Sequence, residues 1–268
     1  MPAPFAPTSC RCFALSLIAT FALVTSASPV LAQQPLETET ARLPVQGMLL
    51  FGSTYEFQTS TQGTEHALPF TFEYGVADRL ALLVEPVLLT SIRPKVGRKA
   101  TGVGDLEATL QYLARDETHS VPALALAAEI KFPTARDTLI GTRHTDFTPY
   151  LIASKRFGRF DTHANIGYSF VGKPRNVAVQ NTLNFALAVE DHVTGRFDLM
   201  AEILATTAAG TSGVPEGSSS PEIAGAEQVG MVGFRYAVHS RAWISLGVTY
   251  DNSNALLFRP GLTLETPF

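Results

Sequence analysis

Asp105 and Glu107 stand either side of Leu106 in the stretch GDLEATLQYLARD, residues 104–116. Carboxylate oxygens are natural ligands for hard cations, so the pair could hold a metal ion. Their spacing argues otherwise, because residues two apart on a strand point the same way about 6–7 Å apart, which is awkward for one shared ion. They read as wall residues. The GVGD at 102–105 lacks the third glycine of a dinucleotide loop, and no βαβ unit follows it. Histidines 66, 119, 144, 163, 192 and 239 show no paired metal spacing. His163, flanked on its own face by Asp161 and Asn165, reads as a hydrogen-bonded side chain. Ser53 and His66 could serve as nucleophile and base. A hairpin centred on residues 61–62, however, sets His66 opposite Phe57 and Ser53 opposite Phe70. That leaves roughly 13 Å between them at about 3.3 Å per residue, where the chemistry needs about 3 Å. No enzyme, metal or cofactor is expected.

Locally, Leu106, Leu110 and Leu113 have helical spacing behind Asp105 as an N-cap, while Leu106, Ala108, Leu110 and Tyr112 also alternate with Glu107, Thr109 and Gln111. The rest of the chain decides. It is 46% hydrophobic and 16% charged, yet beyond the N-terminus no apolar run approaches the roughly 18–20 residues of a spanning helix. Instead, alternating segments recur. Leu49, Phe51, Tyr55 and Phe57 share a face, as do Leu68, Phe70, Phe72 and Tyr74. Leu80, Leu82 and Val84 oppose Arg79 and Glu85; Ile130 and Phe132 oppose Glu129 and Lys131; Leu183, Phe185, Leu187 and Val189 oppose Asn184 and Glu190. About twelve such segments run to Phe268, most of them 10–14 residues long. Soluble strands centre on about 5–6 residues and membrane-spanning strands need about 9–11. Short turns at 77–78, 158–159 and 239–240 interleave with polar loops at 91–102, 135–143 and 208–224, the asymmetry expected of an outer-membrane barrel.

The N-terminus reads as an export signal. Arg11 is the only charge before Glu37, FALSLIATFALV (13–24) is an apolar core, and Val30-Leu31-Ala32 precedes a cleavage site at Gln33. Both cysteines, Cys10 and Cys12, fall inside residues 1–32, which excludes a disulfide scaffold and a cysteine-ligated metal from the remainder. Residues 33–45 read as a flexible periplasmic lead-in, and 46–268 as one domain. A net charge of −4 gives no sign of a nucleic-acid partner.

A sheet crosses hydrocarbon only when closed, because every backbone N–H and C=O must find an internal partner. The expected fold is therefore all-β, a closed antiparallel transmembrane barrel of about twelve strands (10–14) with lipid-facing apolar residues and a polar lumen. The candidate lumen wall comprises Glu73, Arg79, Glu85, Asp105, Glu107, Glu129, Lys131, Arg156, Asp161, His163, Arg196, Asp198, Glu202, Arg235 and Arg259. Tyr74, Tyr112, Phe157, Phe170 and Tyr250 suit interfacial girdles. Pro86, Pro149 and Pro260 fall inside strands, where bulges are expected.

The segments FEYGVADRLALLVEPV, GVGDLEATLQY, AAEIKFPT and TDFTPYLIASKRFGRFDTHANIGYSF resemble the outer-membrane transporter-like family named after the meta-pathway of phenol degradation, over roughly residues 45–268. The resemblance implies a barrel in the outer membrane of a Gram-negative cell, with aromatic or hydrophobic compounds among its solutes. The closing LTLETPF resembles the terminal signal read by the outer-membrane assembly machinery, carried by Phe268. The expected partners are that machinery, outer-membrane lipid and lipopolysaccharide, and a small solute taken up passively. A non-conducting structural or binding barrel and an outer-membrane lipid hydrolase are the alternatives.

Overall fold

The computed structural model describes residues 34–173, 179–209 and 226–268. The expected signal peptide, residues 1–32, and all but the first two residues of the expected loop at 208–224 lie outside the described residues. Among the described residues there is no helix. The strands are β1 (Met48–Thr54), β2 (Glu56–Thr59), β3 (Gly63–Ala77), β4 (Leu80–Pro94), β5 (Ala100–Gly102), β6 (Leu106–Arg115) and β7 (Ala123–Phe132). They continue with β8 (Asp146–Phe157), β9 (Phe160–Ser169), β10 (Thr182–Thr194), β11 (Phe197–Thr206), β12 (Glu227–His239), β13 (Ala242–Asp251) and β14 (Leu256–Pro267). β1 and β2 are one stave interrupted at Tyr55, and β5 and β6 another, so the barrel has twelve antiparallel staves. It closes where β1 and β2 pair with β14 on one side and β3 on the other.

Two-residue alternation sets the two faces. On β10, Leu183, Phe185, Leu187 and Val189 are exposed toward lipid, while Thr182, Ala186, Ala188 and Glu190 are buried inside. The segment 104–116, ambiguous by itself, is strand: Glu107 faces Glu85 across β4 and Lys131 across β7. Register shifts mark the short-turn ends of the β3–β4, β6–β7, β10–β11 and β12–β13 pairs, where bulges sharpen the strand twist.

The prolines behave in two ways. Near Pro86 a bulge forms as expected, with Leu68 paired to Leu89 and Pro69 to Val87, leaving Leu88 over. The bulges expected at Pro149 and Pro260 are ladder gaps instead, with register kept. The β8–β9 ladder stops at Tyr150↔Gly167 and resumes at the bridge Phe147↔Phe170. At Pro260, Tyr55 donates its N–H to the proline carbonyl at 3.0 Å but receives none back, which splits β1 from β2. A missing donor removes one bond and demands no extra residue.

The segment expected as a flexible periplasmic lead-in is the main correction. Residues 34–44 run inside the barrel. Ala41 packs among Ala123, Ala125, Ala127 and Ile152, and Thr38 and Thr40 are buried. Alanines on the inner face of β7 leave the room, and the polar wall supplies partners that a threonine- and glutamate-rich stretch can use. A Cβ on Gly75 would collide with the carbonyl oxygens of Pro44 and Val45, so this glycine lets the chain turn inward at the rim.

Closure can be tested by crosslinking. Ser53 and Leu262 face each other across β1 and β14, and such partners sit about 4.5–5.5 Å apart, within disulfide range. Residues 33–268 carrying Ser53→Cys and Leu262→Cys should form an intramolecular disulfide in high yield when folded in detergent. Purely intermolecular crosslinking, followed on a non-reducing gel, would contradict closure.

Candidate permeation lumen

The lumen divides into two electrostatic halves. Toward the long loops, Glu85, Glu107, Lys131 and Asp146 form one cross-strand row. Lys131 holds Asp146 at 2.5 Å, and Glu129 lies on the same inner face one position along from Lys131. These side chains, with Glu37, Glu39 and Glu227, line a cavity of about 390 Å³ whose remaining polar wall includes Thr148, Asn165 and Asn184. Among the described residues seven acidic side chains line that space, with Lys131 on Asp146 and Arg259 on Glu37.

Toward the short turns the charges are matched. Asp161 takes Arg42 at 2.6 Å, Arg156 at 2.5 Å and His192 at 2.9 Å. Asp198 takes the other nitrogen of His192 at 2.8 Å and Arg235 at 3.1 Å. Arg235 also holds Glu190 at 2.6 Å. Glu190, His192 and Asp198 are close enough together to suggest a metal site. Arg235 already supplies the positive charge there, and both histidine nitrogens are spent on carboxylates, so the set fits a salt-bridge network better than an ion. Ser154, His163 and Glu190 form a chain, with Ser154 Oγ 2.8 Å from His163 Nδ1 and His163 Nε2 3.5 Å from Glu190. The serine oxygen is engaged by the Ala41 N–H at 2.8 Å, so the chain seats the internal segment.

Glu73, Lys131, Asp161, His163, Asp198, Glu202 and Arg235 are buried inside, and Arg259 bridges Glu37 and Glu56. Three of the residues expected on the wall are elsewhere. Arg79 sits in the β3–β4 turn, donating to the Leu113 carbonyl at 3.1 Å and pairing with Asp116. Arg196 is exposed in the β10–β11 turn. Asp105 lies in the break between β5 and β6, where it accepts the Ala135 N–H at 2.9 Å and anchors the 133–145 loop. That loop is also tied by Arg98, whose guanidinium holds the Asp137 carboxyl down at about 2. Residues outside the expected set complete the lumen: Glu190 and His192 continue the inward even-numbered face of β10, a signal already in the alternation. Ser154 likewise continues the inward face of β8, whereas Arg42 and Glu117 could not be found that way, because neither lies in an alternating strand.

The Ser53 and His66 registers are those expected, Ser53↔Phe70 and Phe57↔His66. His66 Nδ1 is hydrogen-bonded to the Tyr55 hydroxyl at 2.7 Å. Phe268 at the barrel's end donates its N–H to the Gly47 carbonyl at 2.8 Å, and its ring meets Tyr74 edge-on at 5.8 Å.

Residues 53–263, spanning nearly every stave, match the family described as "Putative MetA-pathway of phenol degradation". The chain belongs to that family. Among solved structures, a similar barrel is an outer membrane channel from Pseudomonas putida F1, at 13% identity and a TM-score of 0.65, covering 84% of this chain and 97% of that one. The NanC porin (9%, TM-score 0.55) and the KdgM porin in complex with disordered oligogalacturonate (11%, TM-score 0.54) each cover 80% of this chain and 98% of their own. At such identities the likeness shows the fold alone, that of outer-membrane porins. No curated protein matches the chain.

Two measurements follow from the matched half. Arg235→Ala strands two buried carboxylates and should cost about 3–5 kcal/mol of stability, the usual penalty for breaking a buried pair; urea unfolding in lipid with no shift would contradict the network. Glu117, in the β6–β7 turn, is desolvated, but hydrogen bonds from the Arg156 N–H, Lys155 and Arg42 outweigh this and lower its pKa. A depressed carboxylate stabilises above its unfolded pKa, and the benefit is lost as pH falls through the folded one. Acidification below about pH 4 should therefore loosen Arg42. The mobility of a spin label on residues 43–46 should rise on acidification, and should change less in Glu117→Gln.

Proposed function

We propose that this chain is an outer-membrane channel for passive uptake of small solutes, with a weak preference for cations. The observation that carries the reading is the cavity of about 390 Å³, lined among the described residues by seven acidic side chains and one lysine, Lys131. Twelve staves are intermediate between small barrels filled by side chains and large ones that leave an aqueous channel, so a narrow polar path is the natural outcome. Tyr150 and Val171 in the same cavity, together with the family description, support aromatic or hydrophobic compounds among the solutes. On this reading the chain is exported by cleavage after Ala32, and the assembly machinery reads the last strand and Phe268. The folded barrel then sits among outer-membrane lipid and lipopolysaccharide. The wall residues tuning passage are Glu85, Glu107, Glu129 and Lys131 toward the cavity, and Glu73, Arg156, Asp161, Asp198, Glu202, Arg235 and Arg259 around the internal segment. A second reading, a non-conducting binding barrel, is favoured by one observation: residues 34–44 cross the lumen.

Planar-bilayer recording separates the two. The channel reading expects open-channel current with modest cation selectivity, and Glu85→Gln with Glu107→Gln should reduce that selectivity several-fold. Absence of current, with no solute entry into liposomes, selects the second reading.

A further inference from the structure

The wall residues that hold the internal segment address its main chain. Glu202 on β11 accepts the N–H groups of Glu37 and Thr38 at 3.1 and 3.0 Å. Ser154 on β8 accepts that of Ala41 at 2.8 Å, and Gln111 on β6 donates to the Thr40 carbonyl at 2.6 Å. The Asn165 amide on β9, oriented to satisfy its neighbours, accepts the Glu39 N–H at 2.7 Å and donates to the Glu39 carbonyl at 3.0 Å. Side chains from separate staves thus do for this stretch what a neighbouring strand does in strand addition. Two of its own side chains fix direction and register. Leu36 lies over Gly233 and Gly247, where an added Cβ would come within 3.2 Å of it, so the wall is bare of side chains under the leucine. Six residues on, Arg42 enters the carboxylate pair Asp161 and Glu117 at 2.6 and 2.9 Å.

We propose that the lumen is a binding site for a peptide bearing an aliphatic side chain and, six residues later, an arginine, and that residues 36–42 are its tethered, displaceable ligand. Every main-chain bond in the seat is one that water can replace, and the anchors stand at the two ends, as in a ligand that can be exchanged. The site does not depend on the barrel conducting. The link to β1 at residues 44–47 holds the segment at an effective concentration on the order of millimolar, so a peptide in solution competes only once the tethered copy is weakened.

The test uses the full chain in detergent, a fluorescein-labelled peptide of residues 34–44 (QPLETETARLP), and the variant Leu36→Ala with Arg42→Ala. A thiol introduced by Thr38→Cys reports seating through its reaction rate with maleimide. In the double variant the thiol should react at least tenfold faster than with the native segment. The labelled peptide should bind the variant at least tenfold tighter than the unsubstituted protein, and a scrambled peptide should not bind. Should the double variant fail to give the heat-dependent gel shift of a folded barrel, Leu36→Ala alone carries the same comparison. A thiol equally unreactive in both proteins would make the segment a fixed part of the wall and overturn the proposal. So would an exposed thiol without peptide binding, or equal binding of the scrambled peptide. Peptide binding without bilayer current refutes only the channel reading; current without peptide binding refutes only this inference.

Discussion

Everything in this structure depends on the pairing of β1 and β2 with β14. In hydrocarbon an unpaired backbone group costs several kcal/mol, so a sheet with twelve staves must return on itself. The terminal backbone completes the seam, with Met48 opposite Pro267 and the Phe268 N–H on the Gly47 carbonyl. Closure creates an inside, and two-residue alternation makes that inside polar whether or not any solute passes. The charged wall is first a consequence of topology, and only then a candidate for function.

A polar interior brings its own demand, since charges withdrawn from bulk water need partners. Toward the short turns the wall satisfies itself with help from one outside residue. Arg42 joins Asp161, which already holds Arg156 and His192. At mid-height the internal segment serves Glu202 with two N–H groups and the Thr38 hydroxyl, and lends Glu37 to Arg259. Toward the long loops the balance is left acidic around the cavity. The segment therefore divides the lumen into a neutralised lower half and an acidic upper half, and the functional reading follows from that division.

Much of this was legible in the residues because a barrel's rule is local: Leu183, Phe185, Leu187 and Val189 announce a face without knowledge of their neighbours. The same rule placed Glu85 and Glu107 on one wall and set Ser53 opposite Phe70. It failed where a residue leaves the strand. Arg196 and Arg79 keep the parity of inward positions but fall in two-residue turns, and Asp105 sits where β5 gives way to β6, free to turn toward Ala135. At Pro149 and Pro260 no bulge forms, because a lost N–H removes one bond without requiring an inserted residue. The internal segment was least legible. QPLETETARLP is polar and aperiodic, as a solvated linker would be, and its partners Glu202 and Ser154 lie 165 and 113 residues away from the positions they bind. Only the assembled wall reveals that its polarity is complementary.

The occupancy of the lumen by residues 34–44 is the claim on which both the division of charge and the peptide site rest. It is tested most directly by trypsin at the Arg42–Leu43 bond, followed by mass spectrometry on the folded protein in detergent. Arg42, with 9% of its side chain exposed between Glu117 and Asp161, should resist cleavage while exposed sites such as Arg98 are cut. Heat denaturation should open it. Rapid cleavage after Arg42 in a barrel that still shows its heat-dependent gel shift would place the segment outside the lumen and contradict the account.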